Sequence, residues 1–150
     1  LGDDVHFSGT VAGARTAYIF GKPGIAFSID SFHKASPNMT DASEFLADFI
    51  KKNPVSPDTF LNINYPDISF SQISGIEFTF LSKRYYRDTY IKRESGFREL
   101  KVSLNGHIDT ESKEGNDNYA IKRGYISITP MTIDSTDYSR IKERALSGKA

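Results

Sequence analysis

Apolar and small residues at 11–20 read as a helix rich in Ala and Gly. It is closed by Gly21, with Pro23 just beyond as a stop signal. Residues 24–29 form a short continuous apolar run, the pattern of a strand buried on both faces of a parallel sheet. Asp41-Ala42-Ser43-Glu44 has capping-box spacing, and Phe45, Leu46, Phe49 and Ile50 then fall on one helical face. Lys51 and Lys52 sit in the last turn, where cations suit the helix dipole, before Asn53-Pro54 stops the helix. Residues 60–64 are the next strand, ended by Pro66. The order helix–strand–helix–strand predicts a parallel α/β layer with right-handed crossovers, spanning 9–66 and joined by a later strand at 125–130.

Past residue 70 the period falls to two. Ile76, Phe78 and Phe80 alternate, as do Leu100, Val102 and Leu104, and Asn105-Gly106 offers a two-residue hairpin turn. The expectation is an antiparallel β arm over 75–112, projecting from a core made of 1–74 and 113–150. Residues 113–118 read as a polar loop. Ser135 or Thr136 can cap a terminal helix carrying Tyr138, Ile141, Ala145 and Leu146, with Gly148 as its stop.

The chain has 150 residues and 38% apolar content, which suits one domain with a modest core. Its formal charge is zero, so no global field draws it to nucleic acid or to an acidic membrane. The absence of cysteine excludes a disulfide framework and thiolate chemistry. No apolar run approaches the ~20 residues of a membrane-spanning helix. The expectation is a cytoplasmic chain with neither membrane nor nucleic acid as partner.

The candidate chemistry lies at the first helix. In Phe7-Ser8-Gly9-Thr10 two hydroxyls flank a glycine where a helix leaves its first N–H groups without partners and carries partial positive charge. Glycine lets a phosphate approach the backbone, and Ser8 and Thr10 add donors that could point at the same oxygens. Serine and threonine at a helix start are also ordinary caps, so capping and anion binding both stand. His6, His33 and His107 are isolated and show no metal-ligand spacing. Asp3-Asp4 is assigned no metal role. Residues 83–101 carry seven Lys or Arg against three Asp or Glu, interleaved with tyrosines. An assembly surface, a solvated edge and a nucleic-acid surface are all open for this stretch, and the neutral charge of the whole chain favours the first.

Three ordered segments carry a resemblance. Leu1-Gly2-Asp3-Asp4-Val5-His6-Phe7-Ser8-Gly9-Thr10-Val11-Ala12-Gly13-Ala14 resembles the Leu-Gly-x-Asp-Val-x-Tyr-Ser-Gly-Thr-Val-x-x-Ala segment of the SurE family. Phe60-Leu61-Asn62-Ile63-Asn64-Tyr65-Pro66 is similar to that family's Leu-Asn-Val-Asn-Val-Pro strand. Gly115-Asn116-Asp117, with Ala120, and Gly124-Tyr125-Ile126-Ser127-Ile128-Thr129-Pro130-Met131, followed by Asp134 and Thr136, resemble a third segment; there Asn116 replaces a threonine. The resemblance implies part of a Rossmann-like three-layer fold, with Ser8, Gly9 and Thr10 as phosphate-binding residues. It implies a divalent-metal-dependent phosphomonoesterase acting on nucleoside monophosphates, as a 5′- or 3′-nucleotidase. The expected ion is Mg²⁺ or Mn²⁺. The family's metal ligands are two aspartates, a serine and an asparagine, all expected upstream of Leu1. The chain is therefore read as the C-terminal part of such a protein, with no catalytic residue assigned in it. It is expected to be inactive alone and to assemble as a homodimer or homotetramer through 75–112 and the terminal helix. The alternative is a non-catalytic oligomerisation or regulatory module in which Ser8 and Thr10 only cap a helix.

Overall fold

The structure is a computed structural model that describes residues 1–31, 36–94 and 100–147. After a 3-10 turn at Gly2–His6, α1 spans Gly9–Ile19, β1 Gly24–Asp30, α2 Met39–Lys52 and β2 Phe60–Pro66. Then follow β3 at Gly75–Phe78, β4 at Arg84–Glu94, β5 at Leu100–Thr110, α3 at Asp117–Lys122, β6 at Tyr125–Pro130 and α4 at Tyr138–Ser147. His33 and Gly148 lie outside the described residues.

The main sheet has the order β1-β2-β6-β3. β1 and β2 are parallel, with Gly24 opposite Phe60 and Asp30 opposite Pro66. β6 pairs with β2 antiparallel and with β3 parallel, so the sheet is mixed and not the parallel layer expected. Connection length explains the difference. A 3-10 turn at Phe70–Gln72 lies between β2 and β3, too short a link for a parallel return, which needs a dozen or more residues. β3 therefore runs back, and β6 runs alongside it.

The arm is a separate two-stranded sheet of β4 and β5, shorter than the 75–112 span read from the sequence. Its eleven-residue strands pair from Arg84–Thr110 to Glu94–Leu100. Residues 95–99, between the two strands, lie outside the described residues. Asn105 and Gly106 lie inside β5, opposite Thr89 and Asp88. Cross-strand pairing along the whole ladder fixes the register and overrides a local turn preference.

Helix starts also moved from expectation. α2 begins at Met39 with Asn38 as N-cap and no side-chain cap, while Asp41 accepts from the Phe70 N–H at 2.7 Å. The capping box forms instead at Ser69 and Gln72. At the last helix Asp137, not Ser135 or Thr136, receives the Arg140 N–H at 3.0 Å.

The two faces of the sheet have opposite character. On one face Ile63, Tyr65, Ile126 and Ile128 pack against Ala42, with Phe45 and Phe49 of α2 alongside. On the other, Val5, Val11 and Ala14 pack on Ala26 and Phe60, so α1 covers only the end where the strand residues are apolar. Gly24 permits this close approach. A Cβ there would stand 2.1 Å from the Ala14 carbonyl oxygen. Further along the same face the strands carry Asn62 and Asn64 on β2 and Ser127 and Thr129 on β6, all buried. The Thr79 hydroxyl bonds the Ser127 and Thr129 hydroxyls at 2.8 Å each. This half of the face is a polar floor. At the sheet's outer edge, β1 shows no strand beyond it among the described residues, although Ile25, Phe27 and Ile29 are half-buried.

A polar cleft at the start of the first helix

α1 starts where Ser8 leaves helical geometry, with φ −77° and ψ 123°, and the Ser8 Oγ accepts the Val11 N–H at 3.2 Å. The serine is thus a helix cap. Its hydroxyl proton stays available as a donor, because capping uses only an oxygen lone pair. The Gly9 and Thr10 N–H groups belong to the first turn, which has no intrahelical acceptor for them. Gly9 and Thr10 are exposed, and a Cβ built on Gly9 meets nothing within 4 Å. Open backbone at a helix N-terminus is suited to an anion.

Ser8 and Thr10 line a cleft of about 620 Å³, within the size range of small-molecule sites. Its floor is the polar half of the sheet, where Ser28, Asn62 and Asn64 line it, and its rim includes Asp4, Phe7 and Tyr86. Ser28 is directly opposite Asn64 in the β1–β2 ladder, and its Oγ donates to Asn64 Oδ1 at 3.1 Å. Asp30 follows Ser28 two positions on, and loss of water around its carboxyl pushes that group above the usual carboxylate value.

The segment carrying Ser8 is anchored from far along the chain. Asp117, fully buried, accepts the Gly2 N–H at 2.6 Å, the Ser82 N–H at 2.9 Å and the Asn118 N–H at 2.8 Å. Asn116 caps α3 by accepting the Tyr119 N–H at 2.8 Å, so the Asn116-Asp117 pair is a structural junction. Asp4 receives the Arg84 guanidinium and the Tyr86 hydroxyl, which ties the base of the arm to the cleft rim. Asp3 accepts the Arg84 N–H at 3.3 Å. Both aspartates are engaged in holding the arm. His107 sits on the exposed arm beside Asp109, at 2.9 Å, and His6 is exposed. Among the described residues no group of three or more His, Asp or Glu gathers where it could hold a metal ion. The residues present do not fit a divalent metal site, and no step is assigned through one.

The structure places Ser8 and Thr10, singled out in the sequence, on one cleft with Asn62, Asn64 and Ser28, which were not singled out as site residues. A signal was available. Leu61-Asn62-Ile63-Asn64-Tyr65 and Ile126-Ser127-Ile128-Thr129 alternate with period two, so each strand has one apolar and one polar face. A polar face that the fold then buries is the floor of a site or of a network.

Comparison with known proteins identifies relatives of this chain. The sequence model of the family described as "Survival protein SurE" matches residues 1–88. The chain is 37% identical over 145 residues to a protein named 5′-nucleotidase SurE from Heliobacterium modesticaldum, covering 95% of this chain and 53% of that protein. It is 38% identical over 147 residues to a protein of the same name from Fervidobacterium nodosum, covering 95% of this chain and 56% of that one. The crystal structure of the SurE protein from Aquifex aeolicus superposes with a TM-score of 0.74 at 29% identity, over 98% of this chain and 60% of that chain. The chain thus spans a little over half the length of these relatives. With the family's sequence model matched over more than half of the chain and the solved fold matched over nearly all of it, this chain belongs to the SurE family.

Proposed function

We propose that this chain forms the phosphate-binding part of a divalent-metal-dependent phosphomonoesterase that hydrolyses nucleoside monophosphates, as a 5′- or 3′-nucleotidase. The observation that carries the reading is the exposed first turn of α1, where Ser8 and Thr10 line a cleft with a buried polar floor. The N–H groups of Gly9 and Thr10 and the hydroxyls of Ser8 and Thr10 hold the phosphoryl oxygens, and the helix dipole favours their charge. Fixed donors of this kind act most strongly when charge builds on those oxygens during phosphoryl transfer. The names of the relatives support a nucleotide as substrate. The ion, Mg²⁺ or Mn²⁺, is assigned to ligands outside this chain.

The chain assembles with a second copy of itself through the arm and α4. Tyr86, Val102 and Ile108 share one face of the β4–β5 ladder and are exposed, as are Tyr138 and Ile141 of α4. An isolated two-stranded ladder is marginal in water and gains stability from a partner surface. No described helix is long and apolar enough to cross a membrane.

The test is hydrolysis of nucleoside monophosphates by the full-length protein with Mg²⁺ or Mn²⁺, with inorganic phosphate as competitor. Metal-dependent turnover inhibited competitively by phosphate is expected. A full-length protein that neither turns over these esters nor binds phosphate overturns the reading.

A further inference from the structure

The polar floor of the cleft holds two groups that the fold leaves unused. Asn62 and Asn64 are only 4% and 2% exposed, and neither Nδ2 has a hydrogen-bond partner among the described residues. A buried amide without a partner costs free energy comparable to a lost hydrogen bond, so two side by side are not retained for packing. They are two positions apart on β2 and therefore face the same side of the sheet, and both line the cleft that Ser8 and Thr10 line. At Asn64 the direction of the amide is set. The Ser28 hydroxyl occupies Oδ1 at 3.1 Å, which leaves the NH₂ as the free end.

We infer that Asn62 and Asn64 are substrate-binding residues whose side-chain NH₂ groups donate to phosphate-ester oxygens held at the α1 N-terminus, with Ser28 as the positioning residue for Asn64. This deepens the phosphate reading and rests on it. A neutral amide donor suits that place for a physical reason. It can be buried without the desolvation cost of an ammonium or guanidinium, yet a hydrogen bond to an anion is stronger than one between neutral groups. Four donors on the helix end would then hold the phosphoryl group from one side and two amides from the sheet would hold it from below. The arrangement selects a group with several acceptor oxygens.

The experiment is a titration of the full-length protein with inorganic phosphate, followed by nitrogen–proton NMR. The side-chain amide resonances of Asn62 and Asn64 are read together with the backbone amides of Gly9 and Thr10. Shifts in all four that saturate together are expected. Shifts at Gly9 and Thr10 without shifts at the asparagines overturn this inference and leave the phosphate reading intact, and no shift at any of the four overturns both. Asn62→Leu and Asn64→Leu supply the complementary reading. Each should weaken phosphate binding about tenfold or more, the scale of losing a hydrogen bond to an anion. Asn64→Leu also gives up the Ser28 hydrogen bond and should lower the melting temperature modestly, while Asn62→Leu, whose NH₂ has no protein partner among the described residues, should change it little. A fall in melting temperature with unchanged phosphate affinity would instead make the amides structural, and overturn the assignment. If a variant fails to fold, the titration of the unmutated protein decides.

Discussion

The backbone N–H of Gly2 donates to the Asp117 carboxylate at 2.6 Å, across 115 residues of chain. The same carboxylate takes the N–H groups of Ser82 and Asn118. One buried side chain therefore joins the segment that leads into the cleft, the loop before the arm and the start of α3. Asp117→Ala removes the acceptor and strands three N–H groups. Each unsatisfied buried donor costs about 1–3 kcal/mol, so a loss of roughly 3 kcal/mol or more is expected in urea unfolding. A loss below about 1 kcal/mol would show that water replaces the carboxylate.

Gly24 is where α1 comes closest to the sheet. Gly24→Ala places a methyl group against the Ala14 carbonyl, backbone against which no side chain can swing away. Helix and strand must separate, at a cost of about 1–3 kcal/mol for overpacking. Since α1 also presents Gly9 and Thr10, phosphate affinity should fall together with thermal stability. A variant with wild-type melting temperature would contradict the close contact.

Thr10→Ala in the full-length protein tests the helix end as a source of transition-state donors. Thr10 is exposed and caps nothing in the structure, so stability should change little. Turnover of nucleoside monophosphates should drop about tenfold or more, the scale of losing one donor to a developing charge. Unchanged turnover would make Ser8-Gly9-Thr10 a purely structural start to the helix. The 150-residue chain alone should hydrolyse these esters no faster than buffer with Mg²⁺ or Mn²⁺, since its described residues bring no metal ligand set together.

Val102→Asp places a charge on the exposed apolar face of the arm that also carries Tyr86 and Ile108. Light scattering should then report a smaller assembly than the wild-type protein gives. An unchanged mass would move the contact away from the arm.

Ahead of α4, hydrogen bonds from Thr136 and the Tyr138 hydroxyl hold the Asp134 carboxyl at about 2, below its ordinary 3.8. The folded value is lowered, so the linkage stabilises this turn above the ordinary value and fades as pH falls from about 4 towards 2. Carbon NMR of the Asp134 carboxyl should show a midpoint well under 3.8. Asp134→Asn should remove the acid sensitivity of the Thr136 amide. A midpoint at the ordinary value would mean that the Tyr138 contact does not persist in solution.

The elements that sequence periodicity located are those whose apolar pattern is local in sequence. α1, β1, α2, β2 and β6 each carry a run of apolar residues long enough to fix their type, and all five lie near the expected positions. Errors came where a local signal competed with a long-range one. Asn105-Gly106 favours a turn by itself, yet eleven paired positions hold it within β5. β3 has the alternation of an arm strand, but the short link after β2 returns it to the main sheet. At the candidate site, Ser8, Gly9 and Thr10 stood out in the sequence because capping and anion binding share one motif, and the structure shows the cap at Ser8. The junction at Asp117 was not legible, because its partners Gly2 and Ser82 lie far away in sequence. Asn62 and Asn64 look like ordinary strand residues until the sheet is known to bury their face.

The outer edge of β1 has a consequence for handling this chain. Its seven residues carry Ile25, Phe27 and Ile29 on one face, and among the described residues no strand pairs with its outer row of backbone donors and acceptors. Such an edge templates further strands, from another copy as readily as from a native neighbour. Self-association of the bare chain through β1 would then be driven by backbone pairing and grow with concentration. It would be blunted by a lysine at Phe27 and unaffected by changes on the arm. The two modes of association can thus be separated by which substitution dissolves each one.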